Sequence, residues 1–287
     1  MSKLTTADRK ERLATAYNHL LEKDGVLNLL TLRANADLGR FSLGNIVNLM
    51  FESEFTERPM PSMLHTYKDW QAEGRQVRKG EHAWHVLAPI RMLVWKDQED
   101  HSLGKEQILT GWFWMNQFDV SQTDGPELPS LDTPDLTTNN HTDTLLQLVD
   151  WCIYEQDIPI NWQPHDKCGG ASGWWSPKNG DINLDETLSN DEALATLIHE
   201  AIHAVCDTNY QDFTQADAEM ITESATLIVC MGLGLEHTQQ SLEYVATWAC
   251  DDPKRAVSLF DKAEAYAAKL EQAVGLKVKK IYQKKAA

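Results

Sequence analysis

The stretch Leu197-Ile198-His199-Glu200-Ala201-Ile202-His203 decides the reading of this chain. It carries the pattern H-E-x-x-H inside a run of helical periodicity, and two histidines four apart share one helical face. That arrangement suits a zinc site. His199 and His203 offer imidazole nitrogens, and Glu200, beside the first ligand, reaches a metal-bound water as its general base. With 10 His and 20 Glu in 287 residues, random placement gives roughly 0.02 occurrences of the pattern. Upstream, Ser189-Asn190-Asp191-Glu192 is an S-x-x-E capping box placed where a helix carrying the motif should start.

A hydrolytic site needs a third ligand and an open fourth position. Ala216 to Cys230 reads as a second amphipathic helix, and its Glu219 and Glu223, four apart, point the same way. Glu219 is taken as the ligand and Glu223 as an acid behind it, oriented toward a ligand His. The reverse assignment stays open. Alone, such a pair of acids is usually a solvated helix face; a neighbouring H-E-x-x-H helix turns the reading toward a metal. Imidazoles with a carboxylate suit zinc first, with manganese or cobalt as alternatives. Cys206, three residues after His203, reads as a buried structural thiol.

A hydrophobic fraction of 42% over 287 residues suits one large soluble domain or two small ones. There is no apolar run of membrane length, and Met1 to Lys10 is too polar for a signal peptide. The 5 cysteines are odd in number and lack C-x-x-C spacing, which reads as reduced thiols. The expectation is a cytoplasmic protein with no membrane partner. Charge is unevenly divided. Residues 1–130 hold 15 Lys+Arg against 18 Asp+Glu, a net of −3, and residues 131–287 hold 11 against 25, a net of −14, giving −17 in all. The acidity belongs to the half with the metal motif, where it disfavours nucleic acid.

Ser121 to His141 is rich in Pro, Asp, Thr and Asn and reads as a linker. The expected domains are therefore 1–125 and 141–287, joined by 126–140. Before the linker, residues 6–33 look helical, with Leu13, Tyr17, Leu20 and Leu21 at helical spacing, and a second helix spans 42–55. Ala83 to Trp95 and Ile108 to Phe118 read as two strands joined by a hairpin loop at 97–106. After the linker come a helix near 142–156, strands at 158–162 and 181–185, the two motif helices, and two further helices separated by Asp251-Asp252-Pro253.

Tyr67 to Glu81 places Arg75, Arg78 and Lys79 within five residues, near Tyr67, Trp70 and Trp84. Cations that follow phosphates and rings that stack on bases are what binding of single strands uses. The plainer reading makes Trp70 and Trp84 core residues and the charges merely solvated.

Three segments together resemble the N-terminal domain of ArdC-type antirestriction proteins: Phe41 to Asn45, Tyr67 to Trp70 with Gly74 to Ile90, and Phe118 to Pro129. HEAIH (His199 to His203), E-x-x-x-E (Glu219 to Glu223), Leu233 to Leu235 and Tyr244 to Ala249 follow in the order that resemblance requires. Thr222 departs from it, standing where a small Ala is common. The resemblance implies an α+β chain: a helical and antiparallel-sheet domain binding single-stranded DNA, then a zincin-like metallopeptidase domain. It implies antirestriction by a protein of a mobile element, coating single strands or acting on a host defence protein. In a zincin-like domain an edge strand aligns an extended peptide, and Asp181 to Asp185 is the expected edge. Tyr210, His237 and Tyr244 are polar candidates for stabilising an oxyanion. Two other readings compete: a peptidase without DNA binding, and an acidic DNA mimic with a structural metal.

Overall fold

The computed structural model describes residues 38–96, 104–128, 141–206, 213–235 and 253–276, with isolated positions before residue 38 and Val245. The chain divides into two compact units, one of residues 1–20 and 44–129, the other of residues 21–43 and 130–287. The second unit thus takes in a segment, 21–43, that the sequence assigns to the first domain. Its described part shows why: Arg33, 3% exposed, pairs with Glu271 at 3.1 Å and Glu264 at 3.3 Å. A buried guanidinium needs acidic partners, and these lie on the C-terminal helix.

In the first unit, helix α1 (Leu43–Thr56) precedes strand β1 (Leu64–His65), helix α2 (Tyr67–Ala72), β2 (Gln76–Val77), β3 (Trp84–Trp95), β4 (Lys105–Asp119) and β5 (Thr123–Asp124). The β-branched and aromatic runs of β3 and β4 form one long antiparallel pair, Trp84 opposite Gln117 and Trp95 opposite Lys105, with a register shift at Ile90/Arg91. Lys105 and Glu106 are already in the strand, so the expected 97–106 loop is shorter by two residues, and 97–103 lie outside the described residues. β1 adds to β4. The other edge, β3, meets α1: Asn45 accepts from Leu87 N–H at 2.7 Å and donates to its carbonyl at 2.9 Å, and Asn48 donates to His85 at 2.8 Å. Two side-chain amides occupy backbone groups of an edge strand. The expected linker is corrected at its start, since Val120–Gln122 is a 3-10 turn and Thr123–Asp124 pairs with β2.

In the second unit, α3 (Thr142–Asp150) runs on through a π-helical turn, Trp151–Glu155. Strands β6 (Ile160–Gln163), β7 (Gly173–Ser176) and β8 (Asp181–Asp185) follow, then α4 (Asn190–Cys206), α5 (Gln215–Leu233) and α6 (Pro253–Ala273). The sheet order is β6-β8-β7, with β6 parallel and β7 antiparallel to β8. β8 is the middle strand, which overturns its reading as an edge; the edges are β6 and β7. Its polar Asn183 and Asp185 are buried and bonded, Asn183 to Gln163 at 2.9 Å and Asp185 to Thr187 at 2.7 Å. β7 and β8 both pack on α4.

Helix boundaries follow local chemistry. Ser189 and Glu192 exchange capping bonds at the start of α4, Ser189 N–H to the Glu192 carboxylate at 2.9 Å and Glu192 N–H to the Ser189 hydroxyl at 3.4 Å. α5 opens on a Thr214/Asp217 capping box and stops at Gly234, whose φ of 72° is a left-handed cap. The expected helical stretch 6–33 is described only at scattered positions, and the helix expected before Pro253 only at Val245.

Candidate functional site

α4 carries His199, Glu200 and His203, and α5, packed against it, carries Glu219, Thr222 and Glu223. The side chains converge. One ligand atom from each of His199, His203 and Glu219 lies within 4.8 Å of the others, a group able to hold a metal ion among the described residues. The two Nε2 atoms are 3.1 Å apart, and His203 Nε2 is 3.6 Å from Glu219 Oε2. Two nitrogens on one tetrahedral ion at about 2.0–2.1 Å would sit about 3.3–3.4 Å apart. The donor set and spacing therefore fit a divalent ion. Of the two acids, Glu219 is the one grouped with the histidines.

Burial sets the protonation states. It holds His199 down to about 4, and burial followed by the charge of His199 does the same to His203. Both rings are thereby held neutral near pH 7, the state in which an imidazole can ligate a cation. Burial lifts Glu200 to about 7, opposed by the Trp175 N–H that donates to its Oε2 at 2.7 Å and assisted by the charge of Glu219. A carboxyl poised there takes and returns protons readily. Glu219 is also raised, first by burial and then by Glu223.

Two contributors escaped the sequence reading. β7 is one. Ser172 carbonyl accepts from Asp185 N–H on β8, so by alternation Gly173 and Trp175 direct their N–H groups away from β8, and that of Trp175 ends on Glu200. The run Gly173-Trp174-Trp175-Ser176 followed by a turn at Asn179-Gly180 was the hairpin signal that pointed to it. Thr222 is the other: it is fully buried, with Oγ1 3.4 Å from His203 Nδ1. Cys206 is 2% exposed, its thiol pushed up to about 12 by burial. Tyr210, His237 and Tyr244 lie outside the described residues.

The N-terminal set divides. Tyr67, Arg78 and Lys79 line an open pocket of about 590 Å³ with Gln76, Glu81 and Asp124. Trp70 and Trp84 are 0% and 3% exposed, which removes both as stacking surfaces. Trp70 donates to the Phe118 carbonyl at 2.8 Å, and Trp84 lies 4.0 Å beneath the Arg58 guanidinium. Arg75 is bound to Thr123 at 2.8 Å, and Arg78 pairs with Glu81 at 2.8 Å and Asp124 at 3.3 Å. The core needs large rings, and the tight loop holds Arg75 in its own hydrogen bonds and Arg78 in its own ion pairs.

Residues 24–120 match the family model for the N-terminal domain of anti-restriction factor ArdC. Among solved structures, the metal-free crystal structure of the antirestriction ArdC protein from R388 plasmid has the same fold, with 21% identity, a TM-score of 0.50, and 82% of this chain and 85% of that one covered. The Mn(II)-bound structure of that protein aligns with 22% identity over 82% of this chain and 84% of that one, with a TM-score of 0.48. No curated protein matches the chain. The class is thus an α+β protein of ArdC fold. Within it, residues 24–120 match the N-terminal domain of anti-restriction factor ArdC.

Proposed function

We propose that this ArdC-like chain acts in antirestriction for a mobile element, with a divalent-metal site in a zincin-like second unit and a surface for single-stranded DNA on the first. One observation carries the metal reading: His199, His203 and Glu219 bring ligand atoms within 4.8 Å, with Glu200 next in sequence to the first ligand. Zinc is the ion this donor set suits best, with manganese or cobalt able to substitute. When bound, the ion supplies Lewis acidity to a carbonyl and acidity to water. The chain supplies the rest. Glu200, half-buried and near 7, takes a proton from water and returns it to the leaving amine. β7, an edge strand among the described residues whose Trp175 N–H is held by Glu200, is the proposed docking edge for an extended peptide, such as a segment of a host defence protein.

The test is metal analysis of the full chain. The double variant His199→Ala/His203→Ala should fall to background, and retention of stoichiometric metal would reject the site. Glu200→Ala should keep the metal and lose hydrolysis. For DNA, Arg78 and Lys79 are the cations that line the pocket with Tyr67. Changing both to Ala should flatten the salt dependence of single-strand binding by about 0.7 per lost phosphate contact.

The burial of Trp70 and Trp84 favours a second reading, in which the first unit recognises protein and the chain is a peptidase alone. No single-strand binding by the wild-type chain at low salt would select it.

A further inference from the structure

We propose that Thr222 is a positioning residue, its hydroxyl accepting a hydrogen bond from His203 Nδ1–H and so fixing the tautomer whose Nε2 lone pair faces the metal. The inference rests on the metal reading above. Its basis is the two-sided environment of one ring. His203 Nε2 faces the ligand cluster, 3.1 Å from His199 Nε2 and 3.6 Å from Glu219 Oε2, while Nδ1 faces Thr222 Oγ1 at 3.4 Å. A neutral imidazole carries one proton on one of its two nitrogens. Placing it on Nδ1 leaves Nε2 as a ligand; placing it on Nε2 closes the coordination position.

A hydroxyl can accept or donate, so Thr222 can favour either state. The direction follows from the other side of the ring, where a cation at the cluster requires the Nε2 lone pair. Glu219 and Thr222 are three residues apart on α5, on adjoining positions of one helical face. One helix therefore presents a ligand to the front of the site and a proton acceptor to the back of His203. Thr222 is 0% exposed, so water does not replace it readily. At 3.4 Å the contact is long for a hydrogen bond, and its effect lies in the choice of tautomer more than in stability.

The experiment titrates Co2+ into chelator-treated full-length wild type, Thr222→Val, Thr222→Ser and His203→Ala. Thr222→Val keeps the shape and loses the hydroxyl; Co2+ affinity should fall by about 10–100-fold, with Thr222→Ser close to wild type. Equal affinity in Thr222→Val and wild type, or equal loss in the Val and Ser variants, overturns the role. Loss of Co2+ in His203→Ala with full binding by Thr222→Val overturns Thr222 and leaves the metal reading standing. No binding by wild type overturns both.

Discussion

Replacing Glu200 by Gln should stabilise the metal-free protein in a strongly pH-dependent way. In the fold, burial raises the Glu200 carboxyl from an ordinary 4.5 to about 7, with the Trp175 N–H opposing. The sign follows from proton uptake. Between these values the folded chain holds a proton that the unfolded chain has lost, so the carboxyl's contribution is full below 4.5 and disappears as pH rises through about 7. A difference of 2.5 units, 7 less 4.5, at about 1.36 kcal/mol per unit sets an upper bound of about 3 kcal/mol above pH 7. Gln keeps an oxygen to accept from Trp175 and never ionises. His199 and His203 also couple stability to pH, but they are present in both proteins and largely cancel in the comparison. The assay is urea unfolding of both chains in excess chelator at about pH 5 and about pH 8.5. The variant should match wild type at the acid end and exceed it by roughly 1–3 kcal/mol at the alkaline end. A bound divalent ion favours the carboxylate, so the gain should shrink in loaded protein. An equal difference at both pH values would refute the burial argument.

Other predictions follow from packing. Arg33→Ala leaves the buried Glu271 and the half-buried Glu264 without their guanidinium and should cost about 3–5 kcal/mol by chemical denaturation; a loss under about 1 kcal/mol would deny the pairing. Asp217 both caps α5 and binds Arg255 at 2.7 Å, so Asp217→Ala should cost about 2–4 kcal/mol in thermal melts. Arg255 first, against burial, and then Thr214 hold that carboxyl below its ordinary 3.8, so the stabilisation is present above about pH 3.8 and is lost on further acidification. Gly173→Ala would put a Cβ 2.7 Å from Thr196 Cγ2 and 2.9 Å from the Asn183 carbonyl. Backbone must move there, and about 1–3 kcal/mol of destabilisation is expected by urea titration; a neutral result would show β7 free to shift from α4.

The sequence by itself determined what depends on spacing along the chain. His199, Glu200 and His203 fall on one helix because their separation matches its period, and Ser189 with Glu192 marks where that helix begins. The aromatic and β-branched runs of β3 and β4 specify an extended pair in the same local way. What spacing leaves open is which of two equivalent faces meets a neighbour. Glu219 and Glu223 are indistinguishable by periodicity, and only the seating of α5 on α4 brings Glu219 to the histidines and Thr222 behind His203. Trp70 and Trp84 have the composition of a stacking surface, yet the sheet and Arg58 enclose them. The alternation of Asp181 to Asp185 resembles an edge strand, but partners on both sides, β6 and β7, make it central. Arg33 joins the C-terminal helix across more than 230 residues because its charge has no cheaper place to be buried. Local propensity acts within a few turns of chain; desolvation and hydrogen-bond satisfaction are settled only when distant segments meet.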